Sequence, residues 1–240
     1  MKVRADLLVQ ARGLAESRAR AQALILAGCV VAGDHRVEKP GQLLDERVEL
    51  RVKEQLRYVS RGGLKLERAL DRFGLSPEGR VCVDLGASTG GFTDLLLQRG
   101  ALRVHAVDVG HGQLHPRLRA DPRVVVHERV NARTLQLPER CSAAVADLSF
   151  ISLRLVLPAL VAALEPASAW LCVLVKPQFE AGRAEVGKGG VVRDPAVHAR
   201  VVGEIAEELQ RLGLEILGSV ESPIRGPAGN REYLVAARMA

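Results

Sequence analysis

The sequence predicts an α/β protein in which a mostly parallel, seven-stranded sheet follows a small N-terminal α/β unit. From residue 81 onward, short apolar runs alternate with helical patterns, as in a doubly wound sheet. The first of these runs leads into a glycine-rich turn, so we expect a ligand at the carboxyl edge of the sheet. Strands are predicted near 81–85, 103–107, 123–126, 143–147, 170–175, 214–220 and 232–237, and helices near 92–99, 152–164 and 195–212.

The small unit is predicted to span residues 1–53. Its first helix is indicated by apolar residues at helical spacing, namely Leu7, Leu8, Ala11 and Leu14. Ser17 can cap a second helix, which ends at Gly28, and strands are expected from Val30 and over 48–52. A polar connector over 54–63 then leads to a second domain over 64–240, which begins with a helix from Lys65 to Phe73.

Charge and composition suggest where a polyanion would bind. The net charge is +6, and residues 1–62 carry 12 basic against 8 acidic residues, whereas the rest of the chain is nearly balanced. A basic module beside a near-neutral one suggests a polyanion partner for the module. The four cysteines form no CxxC pair, so we expect reduced thiols, no metal site and a cytoplasmic location. No apolar run reaches the roughly 18 residues of a membrane helix, so no membrane association is expected.

The turn after the strand at 81–85 predicts a cofactor site. It lacks the Gly-Lys-Ser/Thr of a P-loop and the G-x-G-x-x-G of dinucleotide-binding proteins. Asp84, just before the turn, would repel a pyrophosphate but suits a cation, which favours S-adenosylmethionine over NAD. Asp108 ends the next strand, where its carboxylate can accept both ribose hydroxyls. The candidate cofactor residues are Asp84, Gly86, Ala87, Ser88, Thr89, Gly90, Gly91, Phe92, Asp108, Val109, Asn131 and Asp147.

Two later strands end in residues that could catalyse a reaction. Asp147 is the last residue of the strand predicted at 143–147, and Lys176 follows the apolar run over 170–175. A lysine at such a strand tip is a candidate general base or a group that positions a hydroxyl. A purely structural ion pair between the two is equally compatible with the sequence. The segment 147–150 also faintly resembles the [Asp/Asn]-Pro-Pro-[Tyr/Phe] motif of amino-group methyltransferases, but both prolines are missing.

Four segments together resemble the TlyA family of 2′-O-ribose rRNA methyltransferases, whose catalytic domain is FtsJ-like. They are Arg57–Glu67, Val175–Glu180, Gly189–Pro195 and Ser222–Tyr233. Residues 3–52 look like an S4 RNA-binding domain. The resemblance implies a Rossmann-like class I methyltransferase fold, S-adenosylmethionine as cofactor, and ribosomal RNA or ribosomal subunits as partner.

The resemblance also implies a catalytic tetrad at Lys65, Asp147, Lys176 and Glu232. Lys176 would activate or orient a ribose 2′-hydroxyl, most simply of cytidine, and the others would position it. Candidate RNA-binding residues are Arg4, Arg18, Arg20, Lys39, Arg61 and Arg225. Two other functions stay open: a non-catalytic RNA-binding or ribosome-assembly factor, and a haemolysin-like membrane-active protein, because the family has also been labelled haemolysin A.

Overall fold

A computed structural model of the chain describes residues 1–26, 28–52 and 57–240. The chain divides into two compact units, Met1–Arg57 and Tyr58–Ala240. The elements of the smaller unit are β1 (Lys2–Arg4), α1 (Ala5–Ala11), α2 (Arg18–Leu26), β2 (Val30–Ala32), β3 (His35–Arg36), β4 (Leu43–Asp45) and β5 (Leu50–Val52). Strands β1 and β4 pair antiparallel, and β3, β2 and β5 form a second antiparallel sheet.

The two predicted helices of the smaller unit are present, and one of them has the predicted cap. The Ser17 Oγ accepts a hydrogen bond from Arg20 N at 3.1 Å, which satisfies a backbone donor in the first turn of α2. Helix α1 ends at Ala11 rather than near Leu14, and β5 begins at Leu50 rather than Val48. Strands β1, β3 and β4 were not predicted, because two or three residues are too few for an alternating pattern to be recognised.

The larger unit contains the predicted seven-stranded sheet. Its elements are α3 (Gly62–Phe73), β6 (Val81–Leu85), α4 (Gly91–Gln98), β7 (Arg103–Asp108), α5 (Pro116–Arg119), β8 (Val124–Glu128), β9 (Ala143–Ala146), α6 (Leu157–Ala162), β10 (Trp170–Val175), α7 (Pro177–Glu180), α8 (Pro195–Arg211), β11 (Leu214–Glu221) and β12 (Tyr233–Met239).

The strand order places a ligand site at the centre of this sheet. The order is β11-β12-β10-β9-β6-β7-β8, with β10, β9, β6, β7 and β8 parallel to one another and β12 antiparallel to both of its neighbours. From β6 the chain continues outward through β7 and β8, and it then returns to the other side of β6 to form β9 and β10. The direction of winding therefore changes between β6 and β9, which is where open α/β sheets bind ligands.

Apolar side chains cover both faces of the sheet. Alternate residues of a strand point to opposite faces, so Val83 packs with one cluster and Cys82 with the other. Helices α6 and α8 cover the first face with Leu157, Leu160, Val201 and Ile205. Helices α3 and α4 cover the second face with Leu66, Leu70, Leu95 and Leu96. The two layers fix the strand ends from which the site is built.

Two boundaries differ from the sequence prediction for physical reasons. The helix predicted over 152–164 is divided into a short 3₁₀ turn, Leu153–Leu155, and α6, because Pro158 lacks an N–H and fits only the first turn of a helix. Residues 54–56 of the connector predicted over 54–63 lie outside the described residues, and residues 58–63 belong to the larger unit. Tyr58 is buried in the α3–α4 cluster, and Val59 N donates to Asp94 Oδ2 at 2.8 Å, so residues 58–63 pack with that unit.

Candidate active site

The turn between β6 and α4 lies beside the carboxyl end of β9. Gly86 has a φ of +84°, and a Cβ at this position would lie 2.5 Å from the backbone oxygen of Asp147. Only glycine meets both constraints without strain, so the backbone of the turn can approach a ligand closely. Ser88 also has a positive φ, +49°. The glycine-rich segment is therefore a tight, specifically shaped turn at the centre of the sheet.

The Asp108 carboxylate is held at the end of β7 by two backbone groups. Its Oδ2 accepts a hydrogen bond from Ser88 N at 2.8 Å, and its Oδ1 accepts one from Gly110 N at 2.7 Å. Each carboxylate oxygen has a second lone pair. Asp108 is thus oriented and can still accept hydrogen bonds from two neighbouring hydroxyls, as the sequence analysis expects for a ribose.

Asp84 carries a fully buried carboxyl group and lies on the same cavity as the turn at Gly86. Its Oδ2 accepts hydrogen bonds from Thr93 N at 2.9 Å and Thr93 Oγ1 at 2.6 Å, but Oδ1 is buried without a hydrogen-bond partner in the described structure. Burial, with a smaller contribution from the Asp147 charge, raises the pKa of Asp84 to about 7. A buried acceptor without a partner is costly, so this oxygen fits a cationic or N–H-bearing ligand group.

Two adjoining cavities lie above the carboxyl ends of the strands. The first has a volume of about 330 Å³ and the second about 460 Å³, and Gly86, Ser88, Asp147 and Ser149 line both. An elongated ligand can therefore extend from one to the other. Of the predicted cofactor residues, the first cavity is also lined by Asp84, Ala87, Thr89, Gly91 and Phe92, and the second by Asp108, Val109 and Asn131. Gly90 instead packs against Leu114 and Leu118 behind the turn.

The four residues of the predicted tetrad line the first cavity. Lys176 Nζ lies 2.6 Å from Asp147 Oδ1, and Lys65 Nζ donates to Glu232 Oε2 at 2.6 Å. Lys65 comes from α3, whereas Glu232 immediately precedes β12, so residues 167 positions apart form one buried pair. The arrangement is two lysine–carboxylate pairs on one cavity, beside the turn that follows Asp84 and the end of β6.

Sequence analysis missed one side chain in this arrangement. Ser149 Oγ accepts a hydrogen bond from Lys176 Nζ at 2.9 Å, and Ser149 lines both cavities. The residue lies three positions beyond the end of β9, and nothing in the sequence pattern distinguishes it from an ordinary loop serine. Phe150 follows with a φ of +65° and an exposed ring 5.2 Å from that of Phe179. This turn places the Ser149 hydroxyl beside the lysine.

The loop over residues 222–230 lies beside Glu232, and Gly226 and Asn230 make its main contacts. A Cβ at Gly226 would lie 2.5 Å from Glu232 Oε1, so no larger residue fits there without displacing the carboxylate. Asn230 is buried and binds the 190–192 backbone, accepting from Val192 N at 3.0 Å and donating to Gly190 O at 2.8 Å. Asn230 thus links two of the distinctive segments, 189–195 and 222–233.

The predicted RNA-binding residues of the smaller unit fall into two groups. Arg4 and Arg18 both bind the buried Asp6 carboxylate, at 3.0 and 2.9 Å, and the hydrogen bond from Arg4 is the largest cause of the lowered pKa of Asp6. Their guanidinium groups are therefore positioned, and their charge is partly offset. Arg20 and Lys39 are exposed and carry no such constraint.

Arg61 and Arg225 belong to the larger unit and line the first cavity. Both side chains are exposed, one just before α3 and the other in the 222–230 loop. Two guanidinium groups at the rim of a cavity that contains two lysine–carboxylate pairs make the entrance electropositive. This charge suits a polyanionic substrate that approaches the pair of lysines.

The chain is similar to known methyltransferases and to proteins named hemolysin. A family model described as FtsJ-like methyltransferase matches residues 58–239. The 16S/23S rRNA (cytidine-2′-O)-methyltransferase TlyA of Mycobacterium tuberculosis (strain CDC 1551 / Oshkosh) is 49% identical over 99% of this chain and 90% of its own. Hemolysin A of Brachyspira hyodysenteriae is 41% identical over 97% of this chain and 98% of its own.

A solved structure is similar over the whole chain. The structure, of a proposed hemolysin from Streptococcus thermophilus, is 45% identical with a TM-score of 0.76, and the match covers 100% of this chain and 89% of that one. Two of the three similar proteins therefore carry a hemolysin name. Within the described residues, no helix combines the length and the apolar character that crossing a bilayer requires.

Proposed function

The chain belongs to the TlyA family of FtsJ-like methyltransferases, and on that basis we propose that it methylates the ribose 2′-hydroxyl of a cytidine in ribosomal RNA. The observation that carries the proposal is the convergence of two lysine–carboxylate pairs on one cavity beside the glycine-rich turn. The sheet is the Rossmann-like sheet of class I methyltransferases, and its winding changes direction at the same place.

The methyl donor is S-adenosylmethionine, which supplies a methyl group bonded to a positively charged sulfur. The residues present fit this cofactor. The unpartnered Oδ1 of Asp84 can accept from its ammonium group, and Asp108 can accept from its ribose hydroxyls. Val109 and Asn131 line the second cavity, where the adenine would lie. A ligand that extends from the first cavity to the second would pass over Gly86, which lines both cavities.

The binding of S-adenosylhomocysteine, which carries the same ammonium group, is expected to weaken as the pH falls below about 7. Burial raises the pKa of Asp84 to about 7, so below that pH the acid is protonated and neutral, and it no longer attracts a cation. The apparent dissociation constant should rise up to about tenfold for each pH unit below the pKa. Isothermal titration calorimetry between pH 5.5 and 8.5 measures this dependence.

Two variants separate Asp84 from other carboxylates of the site. Asp84→Asn should bind the ligand weakly at every pH and lose the pH dependence. Asp108→Asn should also bind weakly, because a ribose contact is lost, but it should keep the dependence. A wild-type affinity that stays constant between pH 5.5 and 8.5 contradicts the assignment of Asp84 to the ammonium group.

The acceptor chemistry is assigned to the tetrad. Lys176 would orient the 2′-hydroxyl and accept its proton, and Asp147 holds the lysine amine in place at 2.6 Å. Lys65 and Glu232 would position the same hydroxyl from the opposite side. Transfer would be direct and in line. Catalysis would therefore depend on aligning the methyl group with the ribose 2′-hydroxyl rather than on a covalent enzyme intermediate.

Affinity for RNA is assigned to basic side chains of both units. We assign the smaller unit as an S4-like RNA-binding domain over residues 1–53, with Arg4, Arg18, Arg20 and Lys39 contacting phosphates, and with Arg61 and Arg225 guiding the target strand to the cavity. Phosphate contacts of this kind are tolerant of sequence and sensitive to salt. A protein that modifies ribosomal RNA would act in the cytoplasm, on free RNA or on ribosomal subunits.

The direct test is methyl transfer from a labelled donor to ribosomal RNA, followed by alkaline hydrolysis. A methylated 2′-oxygen cannot attack the neighbouring phosphate, so the label is expected in alkali-resistant dinucleotides. Label recovered in mononucleotides would instead indicate methylation of a base. Tight RNA binding with no incorporation of label would indicate a non-catalytic RNA-binding protein, and either result overturns the proposal.

A further inference from the structure

Ser149 contacts the amine that the proposed reaction uses. Its Oγ lies 2.9 Å from Lys176 Nζ, and Asp147 Oδ1 lies 2.6 Å from the same nitrogen. Lys176 is 9% exposed, whereas Ser149 is exposed and lines both cavities. We propose that Ser149 is a positioning residue for methyl transfer, which aims the Lys176 amine and passes its proton to solvent. The inference rests on the proposed function.

The geometry of an amine explains how Ser149 would aim it. A neutral amine has two N–H bonds and one lone pair in a tetrahedral arrangement around nitrogen and its carbon. Asp147 attracts the Lys176 amine by its charge at 2.6 Å, and Ser149 accepts a hydrogen bond from it at 2.9 Å. The proposed role requires that the lone pair of the reacting amine point into the cavity that Lys176 lines. With the Ser149 acceptor removed, the amine can rotate and the lone pair loses its fixed direction.

The proton balance gives Ser149 its second role. The 2′-oxygen forms a bond to the methyl carbon as the bond from that carbon to sulfur breaks, and the bonding electrons go to sulfur, which becomes neutral. The 2′-hydroxyl proton moves to the lone pair of Lys176, which becomes an ammonium. Lys176 then donates a proton to Ser149 Oγ, while the Ser149 hydroxyl gives its own proton to water. The amine is neutral again for the next turnover.

The burial of Lys176 gives such a relay a purpose. Lys176 is almost enclosed, and the Asp147 carboxylate lies 2.6 Å from its nitrogen. The exposed hydroxyl of Ser149 both accepts and donates, so it connects the buried amine to bulk water. The relay requires a hydroxyl at position 149, and a threonine would supply it as well as a serine.

The test compares Ser149→Ala with Ser149→Thr in the full-length protein, with ribosomal RNA as the acceptor. S149A is expected to lower kcat by about tenfold to 100-fold, with the KM for RNA and the affinity for S-adenosylhomocysteine within about twofold of wild type. S149T retains the hydroxyl and should recover most of the rate. Ser219→Ala, an exposed serine on β11 that lines neither cavity, is the matched control.

Small buffers provide a measurement that a merely structural role would not affect. If proton release limits S149A, its kcat should rise with imidazole concentration at constant pH and ionic strength, whereas that of the wild type should not. Wild-type kcat in S149A, or a loss that imidazole does not reverse, overturns the role of Ser149 alone. Absence of transfer by the wild-type protein overturns the proposed function and the role of Ser149 with it.

Discussion

Replacing Lys176 by alanine is expected to lower kcat for methyl transfer to ribosomal RNA by about 10³-fold, within the range for loss of a general base. The amine lies on the cavity at 2.6 Å from Asp147 and 2.9 Å from Ser149, and the variant removes the group to which acceptance of the hydroxyl proton is assigned. The affinity for S-adenosylhomocysteine should stay within about twofold, because the residues assigned to the cofactor are unchanged. Single-turnover assays and calorimetry measure the two quantities.

Two further variants define what the lysine contributes. Lys176→Arg keeps a positive charge but cannot accept a proton, so it should be nearly as inactive as K176A. Lys188→Ala removes an exposed lysine that lines neither cavity and should keep the wild-type kcat. Undiminished turnover by K176A contradicts the catalytic role of Lys176, and an equal loss of cofactor affinity would show that the variant disrupts the site as a whole.

Replacing Glu232 by alanine is expected to lower the free energy of unfolding of the larger unit by about 3 kcal/mol as well as its activity. The Glu232 and Lys65 side chains are only 1% and 11% exposed and lie 2.6 Å apart. Removing the carboxylate therefore leaves a buried ammonium without a partner, which is more costly than the loss of the pair itself. Urea denaturation followed by tryptophan fluorescence measures the change, since Trp170 lies in β10 of the same sheet.

A double variant distinguishes an unpaired charge from loss of packing. Lys65→Met combined with Glu232→Leu removes both charges and should recover most of the stability but none of the activity. Glu221→Ala breaks an exposed pair with Arg231, 3.5 Å apart, and should change stability by less than about 1 kcal/mol. Equal stability of Glu232→Ala and Glu221→Ala contradicts the view that the Lys65–Glu232 pair is effectively buried.

The features that could be predicted from sequence are those with a local pattern. The seven strands of the larger unit were found near their true positions because each is rich in apolar residues, which are continuous in β9 and β10 and separated by polar residues in β11. The turn at Gly86 was recognisable because a strand, a glycine-rich segment and a helix follow one another directly. Asp84 and Asp147 were found for the same reason, since a charged residue directly after or within an apolar strand is conspicuous.

The remaining features depend on contacts between distant parts of the chain. Lys65 and Glu232 are 167 positions apart, and only the family resemblance paired them, because neither has a neighbour that marks it. Ser149 was missed because its contact with Lys176 depends on a turn in which Phe150 adopts a φ of +65°. The pairing of Arg4 and Arg18 with Asp6 was also not foreseen, since a buried aspartate in a first helical turn resembles an ordinary surface charge.

We propose that the protein methylates a ribose hydroxyl of ribosomal RNA at the cavity that holds the two lysine–carboxylate pairs. The most direct test of this proposal is to map 2′-O-methyl groups across the ribosomal RNA of cells that contain the wild-type protein, K176A or neither. We expect at least one cytidine that carries a 2′-O-methyl group only with the wild-type protein. A methylation map that is identical in all three, with K176A folded and present at the wild-type level, would contradict it.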